Sequence, residues 1–368
     1  MHPGAAMPAT MITHLAATRP RYEMDQDRAL AWLASAHAEV DAARDPRIDR
    51  ASRERQVARL IDRVACGPDR IARRGHSLGD HRGALAELRD QGSEQRTRRF
   101  VEIADAYFQS AYAGETDAPD DLIHVTCTGY ASPSAAQKLV AAKGWWTRVT
   151  HAYHMGCYAA IPALHVAGGF VANGARRVDI AHTELCTLHF DPGNATLEQL
   201  VVQSLFSDGM IRYAVVPGDR DGLVVRALHE QLIPDSAACM TWIVGDHGLQ
   251  MTLSREVPTR VASALRGFVL GLLARGGYAL PALKQAIVAV HPGGPKIIDQ
   301  VRSTLELDEL AVEHSRGVLR DYGNMSSATL PHIWMRIMDD RRVKAGTLIV
   351  SLAFGPGLTV CGALLEKR

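Results

Sequence analysis

The chain is poor in everything that would mark a stapled, metal-built or polyanion-binding protein. Its six cysteines, Cys66, Cys127, Cys157, Cys186, Cys239 and Cys361, form no CxxC pair and have no zinc spacing among 368 residues. A chain of this length needs no disulfide staples, so free thiols in a reducing cytoplasm are expected. Sixteen histidines include no HExxH or HxxxH. Glu184 and His189 are the nearest candidate ligands, and two ligands do not make a metal site. No long run of like charge occurs and the formal net charge is only +1, which points away from nucleic acid and anionic membranes as partners. No stretch of about eighteen consecutive apolar residues is present, so no membrane span is expected. The N-terminus lacks a basic segment followed by an apolar block, which argues against a signal peptide. Residues 1–20 read as a flexible lead-in.

What is present is an ordinary globular composition, 47% hydrophobic and 22% charged, in a chain long enough for two units. From Asp25 to about Glu115 apolar residues recur at helical spacing, as in "DRALAWLASAHAEVDAA". From Asp121 the texture becomes apolar strands alternating with helices. "LIHVTCTGY", "RRVDIAHTELC" and "MIRYAVVP" predict strands; "SAAQKLVAAKG" and "CYAAIPALHVAGGFVANG" predict helices. The second half repeats this grammar with "QAIVAVH", "GPKIIDQVRSTL", "SSATLPHIWMRIMDD" and two closing strands around Gly355-Pro356-Gly357. Such alternation implies a layered α/β fold of two halves, residues 1–220 and 221–368.

Three residues stand out chemically. Cys157 follows Gly156 where an extended segment meets a small-residue helix, a position that favours a thiolate, although a buried core cysteine is the commoner explanation. His291 ends the apolar strand "AIVAV" and is followed at once by "PGGP". Strand ends in α/β sheets face the ligand crevice. Asn324, in "DYGNMSSATLPHIW", fits either a helix cap or a neutral donor to an oxyanion.

The blocks "GCYA", "SLFSDG", "HPGGP", "YGNMSSA" and "AFGPGLT", in this order, resemble the signature blocks of type III polyketide synthases, the chalcone-synthase-like family. The resemblance runs from about Asp121 to Arg368 and implies a thiolase-like, five-layered αβαβα fold. It further implies that Cys157 is an acylated nucleophile and that His291 and Asn324 serve decarboxylation. Malonyl-CoA would supply two-carbon units to an acyl-CoA starter, with no metal or other cofactor, in a cytoplasmic homodimer whose Ser132-Pro133 loop lies near the partner's cavity. By the same resemblance Phe206 is a gatekeeper, and Met251, Cys186, His189, Trp242, Ser326, Gly355 and Pro356 belong to the substrate site. Arg63, Arg70, Arg73 and Lys296 become candidates for the CoA phosphates. Cys186 matches a position where bacterial alkylpyrone-forming relatives carry cysteine, which implies a fatty acyl starter and an alkylpyrone or alkylresorcinol product. A ketoacyl synthase III-like enzyme, with one condensation on the same trio, is the rival; a non-catalytic thiolase-fold partner is disfavoured by the intact Cys157, His291 and Asn324.

Overall fold

The computed structural model describes residues 9–79 and 91–368. Its frame is one nine-stranded mixed sheet. We number the strands β1 (Thr10–Thr18), β2 (Tyr22–Asp25), β3 (Arg73–His76), β4 (Asp121–Thr126), β5 (Arg148–Tyr153), β6 (Val178–Leu185) and β7 (Asp208–Pro217). The rest are β8 (Leu223–Leu232), β9 (Met240–Gly245), β10 (Gly248–Leu253), β11 (Ile287–Val290), β12 (Leu348–Gly355) and β13 (Thr359–Lys367). The helices are α1 (Gln26–Arg44), α2 (Arg50–Val64), α3 (Ser93–Ala111), α4 (Ala135–Lys143) and α5 (Ala160–Ala172), then α6 (Leu197–Leu205), α7 (Val257–Arg275), α8 (Pro295–Thr304), α9 (Glu313–Tyr322) and α10 (Thr329–Asp339).

The sheet order is β11-β12-β13-β8-β1-β7-β6-β4-β5. In the run β1-β7-β6-β4 two antiparallel pairs precede a parallel one; β8-β13-β12-β11 has the same senses in the same order. The expected division near residue 220 falls in the loop between β7 and β8. Helices α5 and α10 lie between the two runs, in one core with Ile123, Ile180 and Val215 on one side and Ala289, Ile349 and Ala363 on the other. Outside the first run α3 and α4 pack Phe100, Phe108 and Leu139 on Leu122 and Ala181. Outside the second, α7 and α8 pack Leu265, Phe268 and Ile298 on Val288, Val350 and Leu364. This is the five-layered αβαβα arrangement.

The sequence expectation for the start of the chain requires correction. Residues 1–8 lie outside the described part, but Thr10–Thr18 is no lead-in. It is β1, the central strand, antiparallel to β7 on one side and β8 on the other. Ile12 is wholly buried there. The segment "TMITHLAAT" has the β-branched content a strand wants, and its burial comes from long-range pairing rather than from local periodicity. The expected helical region from Asp25 holds for α1, α2 and α3, with β3 interrupting it and residues 80–90 outside the described part. Among the described residues α7 is long and apolar enough to cross a membrane. Its apolar face is spent on the sheet, through Val261, Leu265, Phe268 and Leu272.

Candidate active site

Two cavities meet at Cys157. The outer one, of about 980 Å³, is lined by Cys157, His291, Asn324, Phe206, Arg63 and Lys296 among others. The inner one, of about 100 Å³, runs from Cys157 past Cys186, His189 and Trp242 to Trp32 and Leu33 of α1. Phe206, Met240 and Met251 line both.

Each motif has a local reason for its residues. Cys157 occupies the turn that leads into α5, and Gly156 before it has a left-handed backbone, φ +81°. A Cβ on Gly156 would lie 2.9 Å from Pro356 Cδ, and one on Gly355 would lie 2.4 Å from the Tyr158 ring. The "GC" and "GPG" blocks therefore pack against each other, and only glycine fits at both contacts. His291 leaves β11 with its N–H donating to Leu352 O at 2.7 Å. Pro295 then starts α8. Asn324 follows α9 and bridges to Phe206: Ser207 N donates to Asn324 O at 2.9 Å, and Asn324 N to Leu205 O at 3.0 Å. That bridge fixes Phe206 beside the catalytic candidates.

His291 and Asn324 are each 1% exposed. Among the described residues, neither ring nitrogen of His291 nor Nδ2 of Asn324 has a hydrogen-bond partner. Buried polar groups are normally satisfied, so three unpaired atoms on one cavity mark a place for a ligand's oxygen. Cys157, 6% exposed, has the Ser326 hydroxyl 3.7 Å from its sulfur.

The electrostatics correct one expectation. Burial pushes the Cys157 thiol up to about 12, the Ser326 hydroxyl pulls it back and the Glu184 carboxylate raises it further. Burial holds the His291 imidazole down to about 3. Burial thus favours the neutral thiol and the neutral imidazole over a thiolate–imidazolium pair. A three-residue turn precedes α5, and among the described residues no cation offsets the desolvation of the sulfur.

The remaining sequence candidates divide. Cys186, His189, Trp242, Ser326 and Pro356 line the inner cavity. His189 is tied down by Thr128 O at 2.8 Å and Leu249 N at 3.0 Å, and burial lowers its pKa to about 4. It is a wall, not a metal ligand. Trp242 donates from Nε1 to Cys127 O at 2.5 Å and meets the His189 ring edge-on. Trp242 and Met251 face each other across the β9–β10 hairpin. Gly355 lines neither cavity and contributes through its contact with Tyr158. Arg63 and Lys296 rim the outer cavity, but Arg70 and Arg73 do not. Arg70 pairs with Asp69 in an adjoining depression, and Arg73 lies exposed on β3. Arg255 takes a place at the rim that no motif indicated.

Sequence reasoning also missed a buried polar cluster behind the sulfur. Glu184 Oε2 accepts from Cys127 N and Thr128 Oγ1, each at 3.0 Å, and Oε1 accepts from the Ser327 hydroxyl. The available signal was "HTE", three successive polar residues near the end of a predicted strand. Elsewhere, Glu313, His314 and Asp340 bring three possible ligand atoms together, but Arg342 binds both carboxylates, at 2.8 and 2.7 Å.

Comparison with known proteins agrees with this geometry. Residues 224–367 match the family of chalcone and stilbene synthases, C-terminal domain. Type III polyketide synthase C of Arabidopsis thaliana is 29% identical over 303 residues, 76% of this chain and 78% of that protein. The 1,3,6,8-tetrahydroxynaphthalene synthase of Streptomyces coelicolor is 32% identical over 248 residues, 65% of this chain and 64% of that protein. Among solved structures, the C-terminal type III polyketide synthase domain of Steely1 from Dictyostelium superposes with a TM-score of 0.84 at 21% identity, covering 98% of this chain and 99% of that one. The Streptomyces coelicolor synthase superposes at 0.81 with 24% identity, over 97% and 99%. The fold is thus the thiolase-like one of these solved structures. The chain is similar to type III polyketide synthases over about three quarters of its length, and its residues 224–367 match the chalcone and stilbene synthase C-terminal domain.

Proposed function

We propose that the chain is a type III polyketide synthase that loads a fatty acyl-CoA on Cys157 and extends it with malonyl-CoA to an alkylpyrone or alkylresorcinol. The observation that carries this reading is the set of unpaired, buried nitrogens of His291 and Asn324 on the cavity they share with the Cys157 thiol. His291 accepts the Cys157 proton as the sulfur attacks the starter thioester, and returns it to the CoA sulfur that leaves when the tetrahedral adduct collapses. Malonyl-CoA follows, its thioester oxygen taking hydrogen bonds from Asn324 Nδ2 and an imidazole N–H. Loss of CO2 leaves an enolate whose oxygen these donors stabilise. The enolate carbon attacks the Cys157 thioester, and the extended chain leaves on CoA. Both CoA esters are substrates, and the chemistry uses no resident cofactor.

The fatty starter is supported by the inner cavity, whose lining joins Met24, Ala29, Trp32 and Leu33 to Cys157 and Cys186. Each methylene buried there contributes about 0.8 kcal/mol. Arg63, Lys296 and Arg255 at the outer rim suit the CoA phosphates. The exposed edge of β5, preceded by Trp146 at 99% exposure, suits pairing with a second copy of a cytoplasmic homodimer. Incubation with lauroyl-CoA and radiolabelled malonyl-CoA, read by mass spectrometry, tests the reading. A cyclised tri- or tetraketide is expected; a β-ketoacyl diketide alone favours the single-condensation rival, and no incorporation overturns both. Sedimentation should give twice the 40.0 kDa chain mass; a monomer contradicts the dimer.

A further inference from the structure

The inner cavity contains a second thiol that the reaction above does not use. Cys127 immediately follows β4 and lines this cavity together with Cys157. Its sulfur lies 3.0 Å from Ser326 Oγ, the same hydroxyl that is 3.7 Å from the Cys157 sulfur. One hydroxyl therefore spans the gap between the two sulfurs. Ser326 is held in place for this: its backbone is left-handed, φ +49°, and its N–H donates to Asn324 Oδ1 at 2.9 Å.

On its other side the Cys127 S–H donates to Glu184 Oε2 at 3.4 Å. A nucleophile within hydrogen-bond reach of a base that is itself oriented by further groups is the arrangement of an activated nucleophile. Glu184 is so oriented. Cys127 N and Thr128 Oγ1 donate to Oε2, while Ser327 Oγ reaches Oε1. Ser327 is in turn 3.0 Å from His182 Nδ1, and His182 Nε2 is 3.2 Å from the Tyr213 hydroxyl. Glu184 is wholly buried, and among the described residues no Lys or Arg forms an ion pair with it. Burial lifts its carboxyl to about 7, while burial and this carboxylate push the Cys127 thiol well above its ordinary value, so the proton passes to Glu184 only as the sulfur attacks. A purely structural anchor would explain the bonds to Cys127 N and Thr128. It would not explain a thiol paired with the carboxylate and open to the nucleophile's own cavity.

We propose that Cys127 is a second acyl-carrying thiol, loaded by transfer of the acyl group from Cys157 with Glu184 as the base. The Glu184 carboxylate takes the Cys127 proton, and the freed sulfur adds to the carbonyl carbon of the Cys157 thioester. The Ser326 hydroxyl can donate to the oxyanion that forms. Collapse breaks the carbon–sulfur bond to Cys157, whose thiolate recovers the proton from Glu184 through the intervening hydroxyl. One thioester is exchanged for another, so no oxidant or cofactor is consumed. Cys157 is then free for a second acyl-CoA while the first chain stays in the inner cavity.

The proposal rests on the reading of Cys157 as the acylated nucleophile, and one experiment separates the two. The full chain is incubated with decanoyl-CoA alone, quenched in acid, digested with pepsin and read by peptide mass spectrometry. Two decanoyl groups per chain are expected, the later one on the Cys127 peptide. Cys127→Ala and the more conservative Cys127→Ser should carry at most one, with Cys157 loading in the same sample reporting that the variant is folded. Glu184→Gln should slow acylation of Cys127, relative to that of Cys157, by about a hundredfold or more. A fully loaded Cys157 beside an unmodified Cys127 overturns the inference and leaves the synthase reading intact. So does a decanoyl group on Cys186 instead. Cys127 acylated at the parental rate in Cys157→Ala shows direct loading from CoA and overturns the transfer step. An unloaded Cys157 removes both readings.

Discussion

Asn324 turns its side-chain oxygen back on its own chain: Oδ1 accepts the Ser326 N–H at 2.9 Å, so the amide nitrogen is presented to the cavity with no partner. The orientation of the amide is set by this one bond. Asn324→Asp keeps the oxygen and its bond but replaces the donor by an acceptor. Release of CO2 from malonyl-CoA should fall about a hundred- to a thousandfold, as for loss of one oxyanion donor. Parental CO2 release in Asn324→Asp would remove Asn324 from the decarboxylation step.

The neutral state of the sulfur makes a pH prediction. With burial holding Cys157 up at about 12 and His291 down at about 3, the thiolate grows in only in alkaline solution. Inactivation by iodoacetamide should keep accelerating through pH 9. A rate already on a plateau by pH 6 indicates a preformed thiolate–imidazolium pair and contradicts this account.

Buried histidines give the fold an acid limit. Burial lowers His124, His182 and His291 to about 3, and His189 and His332 to about 4. Each is neutral when folded and protonates near 6.5 when unfolded, so the unfolded chain binds more protons between pH 6.5 and about 4. The stability these groups contribute is present above pH 6.5 and is lost as pH falls. Glu184, raised to about 7, and Asp208, raised to about 6, act in the opposite sense, because the folded state protonates them first. Five groups against two leave a net loss, about 1.4 kcal/mol per pH unit for each excess proton. Urea melts at pH 7 and pH 5 should show lower stability at pH 5; equal stability refutes the assignment.

Much of this was legible from residues alone, for identifiable reasons. The helices and strands from Asp121 onward announce themselves by period, whereas Cys157, His291 and Asn324 are weak signals by position and come together only through the resemblance of their motif blocks. What escaped depends on distant partners. Strand β1 lacks a clean apolar alternation and is defined by its pairing with β7 and β8. The Glu184 cluster draws on β4, β6 and the turn before α10, which no single window of sequence displays. Arg70 and Arg73 were judged by charge, yet which arginine reaches a cavity rim depends on backbone direction. The thiolate expectation failed on burial, since sequence shows proximity to a helix start but not the exclusion of water.

The tail-binding role of the inner cavity is tested at Cys186. Cys186→Phe puts a ring into a space of about 100 Å³. Turnover of lauroyl-CoA should fall more than a hundredfold relative to hexanoyl-CoA, since four lost methylene contacts at about 0.8 kcal/mol each are enough. Equal losses for both starters would move the tail elsewhere.

The central claim is that a buried imidazole and amide, facing a thiol, serve decarboxylative condensation on that thiol. The most direct measurement is 14CO2 release from carboxyl-labelled malonyl-CoA together with intact-mass reading of the starter on the enzyme, for the parental chain and for Cys157→Ala, His291→Ala and Asn324→Ala. The account predicts that Cys157→Ala loses the acyl adduct while still releasing CO2, whereas His291→Ala and Asn324→Ala lose CO2 release by about a hundredfold or more. An acyl adduct in Cys157→Ala on a residue other than Cys127, or undiminished CO2 release in both His291→Ala and Asn324→Ala, would contradict it.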